Sequence, residues 1–393
     1  MAAALGAQPL RATYGFGASN GVDADTIVVV SLRGGWDSLS IVAPTFEDRY
    51  YALRPSIAVP KSAALPLARG FGFHPALAGL HGLYSAGRLA VVHAVGTPDT
   101  TFSHVEAMER LERGTAAPGA GDGWLNRVLQ VRGEEGVVGA VQMGSSLPVS
   151  LSGEAAALSM TSLQSFALVG FDDVEPGAAS AFAALYRGVR HPLADEVRAT
   201  VAALGAIGQL APTPAANAEA YPRNSDVGAA LRDVARLIKA RLGLTIATLD
   251  VGGWDMHTNQ GRVDAGDLFN RLTELDGALS AFVADLGAAI ADVTVVLISE
   301  FGRTIRENGA GGTDHGHGQA MLVLGGGIKG GAVYGPWPGL ADTQQFPNGS
   351  LAGRTDYRDV LGEVLAKRVG VRSLTKIFPD HTPRPLGLAL ARG

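Results

Sequence analysis

The 393-residue chain contains no cysteine. That absence excludes disulfides, thiolate metal sites, iron–sulfur clusters and cysteine nucleophiles, so any chemistry must come from oxygen and nitrogen groups. Lysine is scarce, five of the 32 basic residues, an arginine and alanine bias that fits GC-rich coding and carries no functional argument. Charge of one sign is also lacking, because 32 Lys and Arg stand against 37 Asp and Glu for a formal net charge of −5. A broad cationic surface for nucleic acid or anionic lipid is thereby excluded. No apolar run approaches the roughly 18 residues of a membrane span. The opening residues are rich in Ala and Gly but lack the basic start and long apolar stretch of a working signal peptide. Residues 1–25 therefore read as an N-terminal extension, the remnant of an export signal.

What is present is globular: 47% hydrophobic and 18% charged residues, with 53 glycines placed locally rather than in repeats. The run Thr26-Ile-Val-Val-Val-Ser-Leu32 is continuously apolar and β-branched, which predicts a strand buried on both faces. Similar runs at 89–94, 244–249, 293–298 and 320–324 predict four more strands. Helical patterns fall at 103–113, 179–205 with a break near Pro192, 227–241, 267–289 and 356–369. Strands alternating with helices predict an α/β fold, a mostly parallel central sheet with helices on both faces. Residues 26–393 are expected to form one domain, with a helical or cap excursion over about 116–222.

In such sheets ligands collect beyond the carboxyl ends of the strands. Asp37 follows the first strand, Asp255 and His257 follow the third, Glu300 follows the fourth, and Asp314, His315 and His317 immediately precede the fifth. Hard oxygen and borderline nitrogen donors without thiol suit Zn²⁺, Mn²⁺, Mg²⁺ or Ca²⁺. An Asp at a Gly-Gly turn can simply satisfy turn backbone groups. Two identical strings, Gly34-Gly-Trp-Asp37 and Gly252-Gly-Trp-Asp255, each after a buried strand, argue for more than that. In the His315-Gly-His317 segment glycines let the backbone approach a ligand, and Asp314 serves as ligand or as the carboxylate fixing a His tautomer. Ser103 opens a helix, so its hydroxyl sits where an oxyanion would bind. Ser103-His-Val-Glu106 is equally a capping box, which needs no function. His104 is a general acid or base or an exposed first-turn residue, and Arg303 is an anion clamp or a structural ion-pair partner. His74, His81, His93, His191 and His381 read as structural.

Taken in order, Leu32-Arg-Gly-Gly-Trp-Asp-Ser-Leu39, Phe73-His-Pro-Ala-Leu77, Ser103-His104, Gly123-Trp-Leu-Asn-Arg127, Gly253-Trp-Asp-Met-His257, Ser299-Glu-Phe-Gly-Arg-Thr304 and Gly312-Thr-Asp-His-Gly-His-Gly318 resemble the exported bacterial family called domain of unknown function 1501, grouped with the alkaline-phosphatase-like and sulfatase-like superfamily. The resemblance implies an alkaline-phosphatase-like sheet, export to the periplasm or beyond, and one or two divalent ions. It maps a metal-binding Asp onto Asp37, a nucleophile onto Ser103, an Asp and His pair onto Asp255 and His257, and a later His onto His315 or His317. The chain departs from the superfamily pattern at Glu300-Phe301, where Asp-His is usual and Phe cannot bind a metal. Either His104 or the second histidine of the 315/317 pair then substitutes, or the site holds one metal, or catalysis is lost. The function implied is a secreted metal-dependent hydrolase acting on a phosphate or sulfate ester, small-molecule or saccharide, with Ser103 as nucleophile and Arg303 stabilising developing charge. The alternative is an exported binding or structural protein with a degenerate site on the same fold.

Overall fold

The computed structural model describes residues 24–392 apart from 118, 120, 134–135, 167–180, 182–183, 187, 190–191, 213–214 and 216. The expected export remnant, but for residues 24 and 25, lies outside the described residues, as do His191 and parts of the 116–222 stretch. Nine strands form the main sheet: β1 (Thr26–Leu32), β2 (Leu89–Gly96), β3 (Ala140–Met143), β4 (Leu158–Met160), β5 (Ile246–Val251), β6 (Val293–Ile298), β7 (Gln319–Gly325), β8 (Val333–Tyr334) and β9 (Thr355–Asp356). The helices that matter here are α1 (Ser38–Ile41), α2 (Asp48–Leu53), α3 (Ala78–Ser85), α4 (His104–Arg113), α5 (Trp124–Arg132), α6 (Pro192–Leu210), α7 (Asp226–Lys239), α8 (Asp267–Leu286) and α9 (Tyr357–Val364).

Strand order is β8-β2-β7-β6-β1-β5-β3-β4, with β9 also on β2. Every pairing is parallel except those of β7, which runs antiparallel to both β2 and β6. Alternate residues of β1 explain the continuous apolar run. Val28, Val30 and Leu32 pack with Leu231 of α7 and Leu272, Leu279 and Phe282 of α8. Ile27 and Val29 face the other way, toward Met108 and Leu111 of α4, Leu125 and Val128 of α5, and Val360 and Leu361 of α9. Among the described residues no helix is long and apolar enough to cross a membrane.

The five predicted strands all form. Within the 116–222 stretch, β3 and β4 extend the main sheet beyond β5. They are only four and three residues long, too short for a periodic pattern to declare itself.

The antiparallel strand decides where the chemistry gathers. Strands β1, β2, β5 and β6 run in one direction, so their carboxyl ends share an edge. Because β7 runs the other way, the residues just before it, His315 to His317, reach that same edge.

Candidate metal centre

Two glycine turns and one arginine assemble the strand ends. Gly34 has φ +126°, and a Cβ there would lie 2.5 Å from the Asp255 nitrogen, so only glycine lets the first Gly-Gly-Trp-Asp turn press against the second. Gly35, at φ +69°, would put a Cβ 2.4 Å from the Phe301 ring. The fully buried Arg303 guanidinium donates to the carbonyls of Gly34, Gly35, Trp254 (3.1 Å) and Thr313 (3.1 Å), and to Asp255 Oδ1 at 2.6 Å. Its nitrogens are committed to protein acceptors. Arg303 is therefore the structural ion-pair partner and not the expected clamp on a substrate anion.

Around Asp255 stand three imidazoles. His104 Nε2 is 3.3 Å from Oδ2, while His257 Nε2 and His315 Nε2 are 3.0 and 3.2 Å from Oδ1. Each ring is oriented by an acceptor at its other nitrogen: His104 Nδ1 by Glu300 Oε1 at 2.7 Å, His257 Nδ1 by Asp314 Oδ1 at 3.0 Å, and His315 Nδ1 by the Phe102 carbonyl at 2.7 Å. Those partners require a proton on Nδ1 in all three rings, which turns three Nε2 lone pairs toward one carboxylate. The His257 and His315 Nε2 atoms lie 2.9 Å apart, and His104 Nε2 is buried without a hydrogen-bond partner. Electron-pair donors meeting this closely need positive charge between them, from extra protons or a shared cation. Ligand atoms of His104, Asp255 and His315 all lie within 4.8 Å of one another, as a metal site requires.

The electrostatics follow from the same contacts. Burial would raise the Asp255 carboxyl, but the hydrogen bond and charge of Arg303, with the neighbouring imidazoles, hold it down at about 2. Burial lowers the His315 pKa below its ordinary value, against the raising effect of the Phe102 carbonyl. The His257 hydrogen bond lowers Asp314.

The expected residues divide. Asp255, His257, His315 and His104 come together. Glu300 is buried behind His104, where it also accepts from the Gly34 nitrogen (2.8 Å) and Ser299 Oγ (2.9 Å), so it orients the His104 ring without joining the set. Asp314 does the same for His257. Asp37 stays outside: its oxygens receive Arg54 Nη1 at 2.6 Å, Arg54 Nη2 at 2.9 Å and Gln260 Nε2 at 2.8 Å. A carboxylate held by a buried bidentate guanidinium is unavailable to a cation, and Arg54 carries its pKa below the ordinary range against the opposing effect of burial. His317 also stays outside, with Nε2 on the Thr97 carbonyl, Nδ1 accepting from the Gly353 nitrogen and its ring stacked on Phe346. Beside the Glu300-Phe301 pair stands His104, with Phe301 packed against it at 4.9 Å between centroids.

Ser103 is the N-cap of α4, yet its hydroxyl makes no cap hydrogen bond, so the capping box is not formed. The helix is fixed instead at its far end, where Gly114 adopts the left-handed conformation and returns its N–H to Arg110 and Leu111. His74 and His93 are buried and pushed down to about 4 by burial, as structural histidines. Sequence reasoning missed Arg54, Gln260 and the Phe102 carbonyl. Nothing in the sequence marks the first two, and a backbone carbonyl has no residue signature at all.

The chain is similar in structure to a protein in the alkaline phosphatase superfamily from Vibrio parahaemolyticus, with 11% identity, TM-score 0.43, and coverage of 95% of this chain and 72% of that one. It is similar to the PsFucS1 sulfatase from Pseudoalteromonas sp. (12%, 0.38, 87% and 67%) and to the phosphonate monoester hydrolase of Agrobacterium radiobacter (8%, 0.38, 93% and 78%). No curated protein sequence matches. The family model described as protein of unknown function (DUF1501) matches residues 90–351, from β2 through the metal-centre residues to the loop after β8, and the chain belongs to that family.

Proposed function

We propose that the chain is an exported, metal-dependent hydrolase of phosphate or sulfate esters, with Ser103 as nucleophile and His104, Asp255, His257 and His315 as ligands of a single divalent cation. The observation that carries this reading is the convergence of three Nδ1-anchored imidazoles on one carboxylate, the outer-contact pattern typical of metal-binding histidines. Three nitrogens and one oxygen suit Zn²⁺, or Mn²⁺, better than Mg²⁺ or Ca²⁺. A cation held there would supply Lewis acidity to the ester oxygens.

The chain's own residues supply the rest. Ser103 adjoins the ligand His104 in sequence, and its hydroxyl is not spent on capping. The free N–H groups of the first turn of α4 favour an anionic group beside it. In the step proposed, the Ser103 Oγ–phosphorus or Oγ–sulfur bond forms and the ester bond breaks. The departing alcohol takes up the proton lost by the hydroxyl, and water then cleaves the seryl ester. Arg303 acts through Asp255, holding it ionised and in place.

One observation favours the second reading, an exported binding protein. Asp37, which the resemblance made a metal ligand, and Arg303, which was expected to stabilise developing charge, are both consumed by internal partners. Substitution at Ser103 separates the readings. Ser103→Ala and Ser103→Asp should both fold, retain metal, and lose at least about 10³-fold in turnover of an activated aryl phosphate, phosphodiester or sulfate. An active Ser103→Asp protein removes the nucleophile. A metal-loaded wild type inert on all three ester classes favours the binding protein.

A further inference from the structure

A cavity of about 390 Å³ opens beside the metal centre, lined among others by Thr304, Arg306, Glu307, Asn308, Asp314 and Asp342. It shares Asp314 with the centre, the carboxylate that orients His257. We propose that this cavity receives the non-reacting part of the substrate, and that this part carries a second tetrahedral oxyanion held by Arg306. The inference deepens the hydrolase reading and rests on it for the word substrate.

The argument is one of hydrogen-bond satisfaction. Of the cavity's acids, Asp342 is paired with Arg49, Asp314 receives His257 Nδ1 and Asn308 Nδ2, and Glu307 Oε2 accepts from the Ser56 nitrogen, Ser56 Oγ and the Ile57 nitrogen. Each carboxylate is already supplied with hydrogen-bond donors, a guanidinium at Asp342 and imidazole, amide, backbone or hydroxyl groups at the other two. Arg306 is exposed, and among the described residues its guanidinium has no acceptor. Arg306 is thus the lining group whose donors are unmet, and a guanidinium binds a tetrahedral oxyanion through paired N–H groups. Arg303, three residues earlier, cannot take that part because the protein has used its donors. The remaining polar lining suits a hydroxylated carrier for the oxyanion, such as a sugar.

The test compares dissociation constants of glucose 1,6-bisphosphate and glucose 1-phosphate on the protein purified without chelator. Wild type should prefer the bisphosphate by roughly tenfold or more, the scale of one charge-assisted contact. Arg306→Gln should abolish that preference. Arg262→Gln, which removes an exposed arginine that is not among the lining residues, should keep it. No preference in wild type, a preference that survives Arg306→Gln, or an equal loss in Arg262→Gln overturns the subsite. Because the readout is binding, a protein that shows the preference yet never turns over an ester fails the hydrolase reading and keeps the subsite.

Discussion

Asp37 and Asp255 close the same four-residue string, and the side chain that meets each one separates their fates. Arg54 is wholly buried and grips Asp37 with both terminal nitrogens, while Ser40 and Gln260 complete the pocket. Arg303 gives Asp255 only one nitrogen and leaves Oδ2 facing His104. Removing one partner of a buried pair strands the other, so Asp37→Asn should cost about 3–5 kcal/mol in urea unfolding. Because the folded pKa of Asp37 is depressed, its contribution is complete above the unfolded value of about 3.9 and is lost as pH falls through the lower folded value. Unfolding free energies measured from pH 6 downward should therefore fall less steeply below pH 4 in Asp37→Asn than in wild type. An equal slope would mean that folding does not depress the pKa of Asp37. The Asp37 carboxylate was legible in sequence as a strand-end group, but its partner was not, since Arg54 reaches it from a helix that no motif announces.

The elements meet at turns, and the turns hold the centre together. Gly35 sits at a positive φ against the Phe301 ring, which in turn packs on His104 and His315 at 4.9 and 4.8 Å. Gly35→Ala adds both backbone strain and a steric conflict, and should destabilise by about 1–3 kcal/mol while displacing both rings. Denaturant midpoints check the first effect and metal affinity the second. A Gly35→Ala protein with wild-type values of both would mean that the turn is not under this constraint. Long elements were readable because burial on two faces writes itself as an unbroken run: β1 and β6 match their predicted limits residue for residue. Short ones were not. The four residues of β3 and the two of β9 are held by their neighbours in the sheet rather than by any local pattern. At α4 the capping box was present in sequence and absent in structure, which leaves the Ser103 hydroxyl to other work.

At the scale of the whole molecule, one reversed strand in a parallel sheet gathers donors from four separate stretches of chain. His104 follows β2, Asp255 and His257 follow β5, Glu300 follows β6, and Asp314 and His315 precede β7. The structure brings Asp255, His257 and His315 together with His104, sets Glu300 and Asp314 behind two of those rings, and leaves Asp37 and His317 outside. Which histidine of the 315/317 pair stands beside Asp255 was not legible, since both flank one glycine and only His315 pairs with Arg303, across a two-residue antiparallel ribbon of Gly302–Arg303 with His315–Gly316. The central claim is that these groups form one cation site from which Asp37 is excluded. Elemental analysis of protein purified without chelator tests it most directly. One divalent ion per chain should be found in wild type and in Asp37→Asn, and should be lost in Asp255→Asn. A wild type without metal, or an ion lost from Asp37→Asn and kept in Asp255→Asn, would contradict the account.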